Sequence, residues 1–239
     1  MNNRRSIYWY IFIYFIVIFT AILITCIINK SISTIAEADI SKVRTCIIID
    51  AGHGGVDGGA TSCTGVLESY INLQISKRLD DLMHLLGYHT RMIRTTDISV
   101  YTQGDTIAQK KASDLKERVR IINETENAIL LSIHQNNFSD SRYSGAQIFY
   151  SSTNNSDKLA KQMQTNFISS VNPGSRRLAK KSSGIYLMEH ISCPGVLIEC
   201  GFLSNPTEES LLRSDRYQKN ICCVIATSVC VFLDRPTTN

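Results

Sequence analysis

The sequence predicts an α/β domain with a largely parallel sheet, preceded by a transmembrane helix. The chain has 239 residues, of which 44% are hydrophobic, and this suits one globular domain with a short extension. From residue 45 to residue 235, short apolar runs that fit buried strands alternate with segments of helical periodicity. That alternation is typical of layered α/β proteins. A separate apolar stretch, residues 7–28, contains no charged side chain.

The first half of the domain has a regular order of strands and helices. Residues 46–49 are a predicted buried strand, followed by a glycine-rich loop. Apolar residues at intervals of three or four predict one helix over 68–86, and Gly87 is its predicted end. The next predicted elements are a strand at 88–93, a helix at 112–123 and a strand at 128–133.

The second half continues the same alternation. The predicted elements are a strand at 146–150, a helix at 157–170, a short extended segment at 185–188, a strand at 196–198 and a helix at 217–233. We expect them to form one domain over residues 45–235. A polar linker is predicted at 29–44 and a short tail at 236–239.

Charges around the apolar stretch predict the topology. Arg4 and Arg5 precede it and Lys30 follows it. Because basic residues stay on the cytoplasmic side, residues 1–28 are predicted to be a signal-anchor, and the domain is predicted to lie on the outer face of the membrane. The membrane is thus an expected partner.

Two processing alternatives to a retained anchor stay open. Residues 36–38 have the small-x-small pattern of a signal-peptide cleavage site, which would release the domain after Ala38. Cys26 lies in a poor match to a bacterial lipid-attachment site.

The charge balance does not favour nucleic acid as a partner. The whole chain carries a formal net charge of +4. Residues 1–38 contribute three basic side chains and one acidic side chain, so the remainder carries +2. A nearly neutral domain has little attraction for a phosphate backbone.

The cysteines predict free thiols rather than a disulfide framework. No pair has CxxC spacing, and most lie in apolar runs where a thiol packs as a small hydrophobic group. The eight residues are Cys26, Cys46, Cys63, Cys193, Cys200, Cys222, Cys223 and Cys230.

Polar residues fall where the strands of the predicted sheet end. His53 follows the first strand, His134 follows the third, Glu199 ends a late strand and Glu68 opens the first helix. Ligands of open α/β sheets gather at the carboxyl ends of the strands. We therefore expect these four side chains to converge.

The four side chains predict a catalytic zinc site. Two imidazoles and one carboxylate, with a fourth position left to water, are a typical donor set, so His53, Glu68 and His134 are the predicted Zn²⁺ ligands. Glu199 is the predicted proton shuttle, which takes a proton from water and passes it to a departing amide nitrogen. The predicted reaction is amide hydrolysis.

Structural interpretations of the same residues stay open. A histidine at a strand end can be a hydrogen-bonding residue, and Glu68 can simply stabilise the start of its helix. Asp50 and Asp57 can orient the metal ligands or cap the loop. The three remaining histidines are predicted to be surface or structural residues; they are His84, His89 and His190.

Four ordered blocks resemble the zinc-dependent N-acetylmuramoyl-L-alanine amidases of the type 3 family. The blocks are DAGHGG with DGGA at 50–60, Glu68, SIHQN at 132–136 and IECGFLSN at 198–205. The resemblance covers residues 45–235. It implies a single three-layer domain with a mixed, largely parallel six-stranded sheet flanked by helices. It also implies zinc at His53, Glu68 and His134, a catalytic Glu199 and a peptidoglycan substrate.

Further segments, SGAQ at 144–147 and GIYLM at 184–188, are similar to the germination-specific, CwlD-type amidases of endospore-forming bacteria. That resemblance implies removal of stem peptides in spore cortex, before muramic-δ-lactam forms. Cys200 departs from the small or aliphatic residue of many relatives, and a packing role is expected for it. The sequence leaves open the oligomeric state and whether an accessory activator protein is needed.

Two other functions remain as alternatives. The first is a catalytically silent module that binds peptidoglycan. The second is a zinc peptidase or deacetylase that acts on a neighbouring bond of the same polymer.

Overall fold

A computed structural model describes residues 8–9, 12–30 and 45–234. The chain divides into two units, Met1–Ser41 and Lys42–Asn239, and each is described by itself. Arg4, Arg5 and the candidate cleavage site after Ala38 lie outside the described residues, as do most of the predicted linker and the predicted tail.

The first unit contains one apolar helix, α1 (Phe12–Lys30), with a mean hydropathy of 2.6. At 1.5 Å per residue its 19 residues reach roughly 28 Å, close to the thickness of a bilayer core. Its aromatic and aliphatic side chains are exposed. By length and composition α1 is therefore a candidate membrane span.

The second unit is built on a six-stranded mixed sheet. Its strands are β1 (Cys46–Ala51), β2 (His89–Met92), β3 (Ala128–Asn136), β4 (Gln147–Tyr150), β5 (Lys180–Lys181) and β6 (Gly195–Phe202). Their order across the sheet is β2-β1-β3-β6-β4-β5. Strands β2, β1, β3 and β6 are parallel, whereas β4 pairs antiparallel with β6, and β5 pairs parallel with β4. The predicted fold class is confirmed.

Helices cover both faces of the sheet, which gives three layers. The helices are α2 (Glu68–Leu85), α3 (Ile107–Asn123), α4 (Ser156–Ser170), α5 (Tyr186–His190), α6 (Pro206–Leu212) and α7 (Asp215–Leu233). Residues of α2, α4 and α7 form one buried apolar cluster with one face of the sheet. Residues of α3 and α5 form a second cluster with the opposite face.

Two predicted elements were wrong in extent or type. Helix α3 begins at Ile107 rather than 112, because Thr106 and Gln109 form a capping box ahead of the apolar stripe. The segment 185–188 is not extended, because α5 is helical from Tyr186. One helical turn buries Leu187 and Met188 in the second cluster.

Both central strands run further than predicted. β3 continues through His134 to Asn136, and β6 continues through Glu199 to Phe202. The two strands pair His134 with Glu199 before a register shift, so both residues lie within paired strands rather than after them. The short strand β5 and the helix α6 carry no clear apolar period and were missed.

All eight cysteines are free, and half of them are buried as predicted. The buried thiols are Cys46, Cys193, Cys200 and Cys222. The expectation of burial was wrong for Cys63 and Cys223, which are exposed in the second unit. Cys63 lies in a polar loop, and Cys223 lies on the outer side of α7, next to buried Cys222.

Candidate metal centre

Three side chains from separate parts of the chain meet at the carboxyl edge of the sheet. His53 lies in the loop after β1, Glu68 is the first residue of α2, and His134 lies in β3. One ligand atom from each lies within 4.8 Å of the others. The centroids of the two imidazole rings are 5.0 Å apart. The structure thus brings together the three residues that the sequence predicts as metal ligands.

The chemistry and spacing of these donors fit a zinc ion. His53 Nε2 lies 3.3 Å from Glu68 Oε2, and His134 Nδ1 lies 3.0 Å from Glu68 Oε1. With ligand bonds of about 2.0–2.1 Å, two ligands of a tetrahedral zinc ion lie roughly 3.3 Å apart. Two imidazoles and one carboxylate also leave a fourth position for water.

Backbone and side-chain amides orient the Glu68 carboxylate. Ala60 N donates to Oε2 at 3.0 Å, while Gln135 N and Asn72 Nδ2 donate to Oε1 at 3.1 and 3.2 Å. Burial alone would raise the pKa of Glu68, but hydrogen bonds from His134 and His53 hold it well below its usual range. Glu68 therefore presents a charged, fixed carboxylate.

An aspartate and a lysine orient the first imidazole. Asp57 Oδ2 lies 2.9 Å from His53 Nδ1, and Lys111 Nζ lies 2.7 Å from Asp57 Oδ1. Burial lowers the pKa of His53, but its hydrogen bonds with Asp57 and Glu68 outweigh burial and raise it to about 9. With Nδ1 facing Asp57, the other nitrogen of His53 is left for a metal.

Asp57 serves both of the roles that the sequence left open for it. Besides contacting His53, it accepts a hydrogen bond from Gly59 N at 3.2 Å and so caps the loop. Asp50 forms no hydrogen bond with any of the three predicted ligands within the described residues. It is buried, pairs with Arg118 and accepts a hydrogen bond from Ser132 Oγ at 2.7 Å.

Two buried arginines fix the loop that carries His53, and the sequence analysis missed both. Arg94 donates to the carbonyls of Ala51 and Gly52 at 2.8 and 3.0 Å. Arg118 donates to the carbonyl of His53 at 2.8 Å. Arg94 lies in the loop after β2 and Arg118 lies in α3, both far from His53 along the chain, so no local pattern around His53 indicates them.

Two glycines let the loop approach the predicted metal ligands closely. A Cβ atom at Gly52 would overlap the imidazole of His134. Gly59 has a φ of 68°, and a Cβ there would lie 2.6 Å from Glu68 Oε2. Both positions therefore need glycine for the site to keep its shape.

Glu199 lies beside the three predicted ligands. It is the paired residue of His134 on the neighbouring parallel strand, so the two side chains project from the same face. Its Oε2 atom is buried and has no hydrogen-bond partner within the described residues. Burial raises the pKa of Glu199 to about 7. A carboxyl group with this pKa can accept and return a proton near neutral pH.

The neighbouring thiol and the other histidines stand apart from the site. Cys200 is fully buried in the first apolar cluster, which supports the packing role expected for it. His84 contacts Thr90, and His190 stacks on Tyr186 with ring centroids 4.0 Å apart. His89 is exposed in β2.

A cavity of about 350 Å³ opens beside His53 and His134. Lys111 and Leu115 of α3 form part of its wall. Tyr186, from the segment predicted as extended, forms another part. The candidate metal centre is thus reached from a cleft between the sheet edge and these two helices.

Comparison with known proteins identifies relatives over most of the second unit. The family described as N-acetylmuramoyl-L-alanine amidase matches residues 47–230. The germination-specific N-acetylmuramoyl-L-alanine amidase of Bacillus subtilis is 38% identical over 181 residues, which cover 75% of this chain and 76% of that protein. The amidase LytC of the same species is 31% identical, and the match covers 72% of this chain and 32% of LytC.

Solved structures show the same fold. The CwlD amidase from Clostridioides difficile, determined in complex with the GerS lipoprotein, superposes with a TM-score of 0.76 at 38% identity; the match covers 79% of this chain and 98% of that chain. An N-acetylmuramoyl-L-alanine amidase from Clostridium difficile 630 gives a TM-score of 0.70 at 28% identity, over 83% of this chain and 100% of that chain.

We expect Asp57→Asn to weaken zinc binding by about 10- to 100-fold, because the variant loses the charged acceptor that orients His53. Zinc affinity measured by competition with a chelator checks this. Asp81→Asn, at an exposed position of α2, is the matched control and should bind zinc as the wild type does. Equal affinities of the two variants would contradict the orienting role.

We expect Gly52→Ala to displace the His134 ring and to lower activity about a hundred-fold, since a shift of 1 Å at a reacting centre can cost that much. Gly58→Ala is the control in the same loop, because its Cβ would meet the tips of the Leu67 side chain at 3.1 Å, which can move. Zinc content and amidase rate, measured for both variants, check the expectation. A Gly52 variant as active as the Gly58 variant would refute it.

Proposed function

This chain belongs to the N-acetylmuramoyl-L-alanine amidase family, and from that premise we propose that its amidase site is a zinc centre formed by His53, Glu68 and His134, with Glu199 as the proton-transferring group. The bond that is cut joins the lactyl group of N-acetylmuramic acid to L-alanine of a peptidoglycan stem peptide. The convergence of two imidazoles and a buried carboxylate within 4.8 Å is the observation that carries the proposal.

The metal supplies two things when it is bound: it lowers the pKa of a water molecule toward about 7, and it polarises a carbonyl oxygen. The chain supplies the proton transfer. Glu199 accepts the proton of the attacking water at its buried carboxylate and returns it to the amide nitrogen as that nitrogen leaves. Protonation is needed because an unprotonated amine is a poor leaving group.

The surrounding residues keep this arrangement ready for reaction. Asp57 and Lys111 hold His53, and amides hold Glu68, so little reorganisation is needed when the substrate arrives. Burial raises the pKa of Glu199 to about 7, so its carboxyl group can both accept and donate a proton near neutral pH.

We propose a role in spore cortex maturation, on the pathway to muramic-δ-lactam. The 38% identical relative from Bacillus subtilis is named a germination-specific amidase, which supports this role. The CwlD amidase was solved in complex with a lipoprotein, so an accessory lipoprotein is the partner we propose for this chain. Helix α1 supports anchoring at the membrane, with the catalytic domain exported.

The alternatives predict different products. A silent binding module would lack one of the four groups, yet all four are present and adjacent. A zinc peptidase would cut within the stem peptide, and a deacetylase would release acetate. An amidase releases complete stem peptides and leaves a glycan that carries no peptide.

We expect the wild-type protein with zinc to convert peptidoglycan to free stem peptides and peptide-free glycan, as identified by mass spectrometry. Glu199→Gln should bind zinc normally but turn over at least 100-fold more slowly, since general acid–base catalysis contributes about 10²–10⁴-fold. His134→Ala should lose zinc as well as activity. Peptide fragments or acetate as the main products would overturn the amidase assignment.

The pH dependence follows from Glu199. Its carboxyl group must be ionised to accept a proton, and its pKa is raised to about 7. We therefore expect kcat/KM to rise about ten-fold per pH unit below that pKa and to level off above it. The measurement is a pH profile with zinc saturating throughout. A flat profile between about pH 5 and 7 would contradict Glu199 as the base.

A further inference from the structure

A second cleft lies on the other side of Glu199 from the metal-ligand group. Its volume is about 710 Å³, and its walls are built mainly from the loops before β4 and after α4. Tyr143, Ser144 and Arg177 are among its lining residues.

Arg177 is held in one orientation in the cleft. Its guanidinium carbon lies 4.9 Å from the centroid of the Phe202 ring, and the ring itself is buried. Its Nε donates to the carbonyl of Ser144 at 3.0 Å. Nη1 donates to Gln147 Oε1 at 3.5 Å, so the stacking and hydrogen bonds restrict the guanidinium and leave Nη2 pre-organised for an anion.

No carboxylate among the described residues forms an ion pair with Arg177. Glu208 also lines the cleft and feels the charge of Arg177 without an ion-pair contact; both of its oxygens accept backbone hydrogen bonds, from Gly145 N and Phe202 N at 2.8 Å each. Arg176 adds a second positive charge at the same cleft. The cleft is therefore complementary to an anionic ligand.

Arg177 is linked to the reacting centre through one intervening side chain, that of Gln147. Arg177 Nη1 lies 3.5 Å from Gln147 Oε1, and Gln147 is the antiparallel partner of Glu199. Two exposed aromatic rings, Phe138 and Tyr143, lie next to the cleft and contact each other edge to face with centroids 4.9 Å apart. Arg177 and the two rings thus lie together on the β4 side of Glu199.

We propose that Arg177 is the carboxylate-recognising group of a subsite for the stem peptide, the leaving part of the substrate. This inference rests on the proposed function. In the bond that is cut, the lactyl carboxyl group is itself the amide, so the glycan side keeps no free carboxylate there. The peptide side ends in a carboxylate. A guanidinium group on one side of Glu199 therefore selects the peptide.

The test uses a muramoyl peptide with a free C-terminal carboxylate and the same compound with a C-terminal amide. Wild type should cleave the carboxylate form about ten-fold or more faster in kcat/KM, mainly through KM, because a charge-assisted hydrogen bond is lost with the amide. Arg177→Gln should lose that preference and keep its zinc content. Arg216→Gln, which removes an exposed charge of α7 outside the cleft, should keep the preference.

Two further measurements keep the outcome clear. Arg177→Lys retains the charge but not the planar fork, so it should recover only part of the preference, and thermal unfolding of each variant shows whether it folds. Calorimetric titration of wild type with the free peptide acid and the free peptide amide measures the subsite without turnover. Equal binding of the two peptides, or an unchanged preference in Arg177→Gln, would overturn the inference. Failure of wild type to cleave either substrate would instead overturn the proposed function.

Discussion

The rest of the site depends on hydrogen bonds that two buried guanidinium groups donate to the loop after β1. Arg94 and Arg118 both lie in the interior, where an uncompensated charge costs several kcal/mol. Arg118 is compensated by Asp50 and Asp114, and Arg94 donates to backbone carbonyls of the loop. The loop carbonyls therefore satisfy charges that would otherwise be costly to bury, and the backbone at His53 is held in place.

That constraint explains why the site tolerates an unusual backbone. His53 has a φ of 60°, a conformation that costs a non-glycine residue about 1 kcal/mol or more unless its surroundings enforce it. The arginine contacts enforce it from one side, and the Asp57 contact enforces it from the other. The result is an imidazole whose Nε2 faces the carboxylate of Glu68.

The sequence predicted the residues of the site better than the residues that hold them in place. His53, Glu68 and His134 sit next to strong apolar patterns, so strand ends could be placed and their convergence inferred. Arg94 and Arg118 act through contacts 42 to 68 residues away along the chain, which no local pattern encodes. Helix α5 was mistaken for extended chain because five residues are too few to show a helical period. The start of α3 was missed because its first turns are polar and its apolar stripe begins only after them.

The antiparallel strand β4, which lies between β6 and the edge strand β5, has a consequence for the direction of the proposed reaction. β4 enters beside the carboxyl half of β6, so the loop before it lies next to Glu199 on the side away from His134. Glu199 therefore separates the metal-ligand group from the Arg177 cleft. In the proposed mechanism, a substrate that spans both has its carbonyl toward the predicted metal ligands and its amine toward the cleft. In that orientation one carboxylate can take a proton from water on one side and deliver it to the leaving nitrogen on the other.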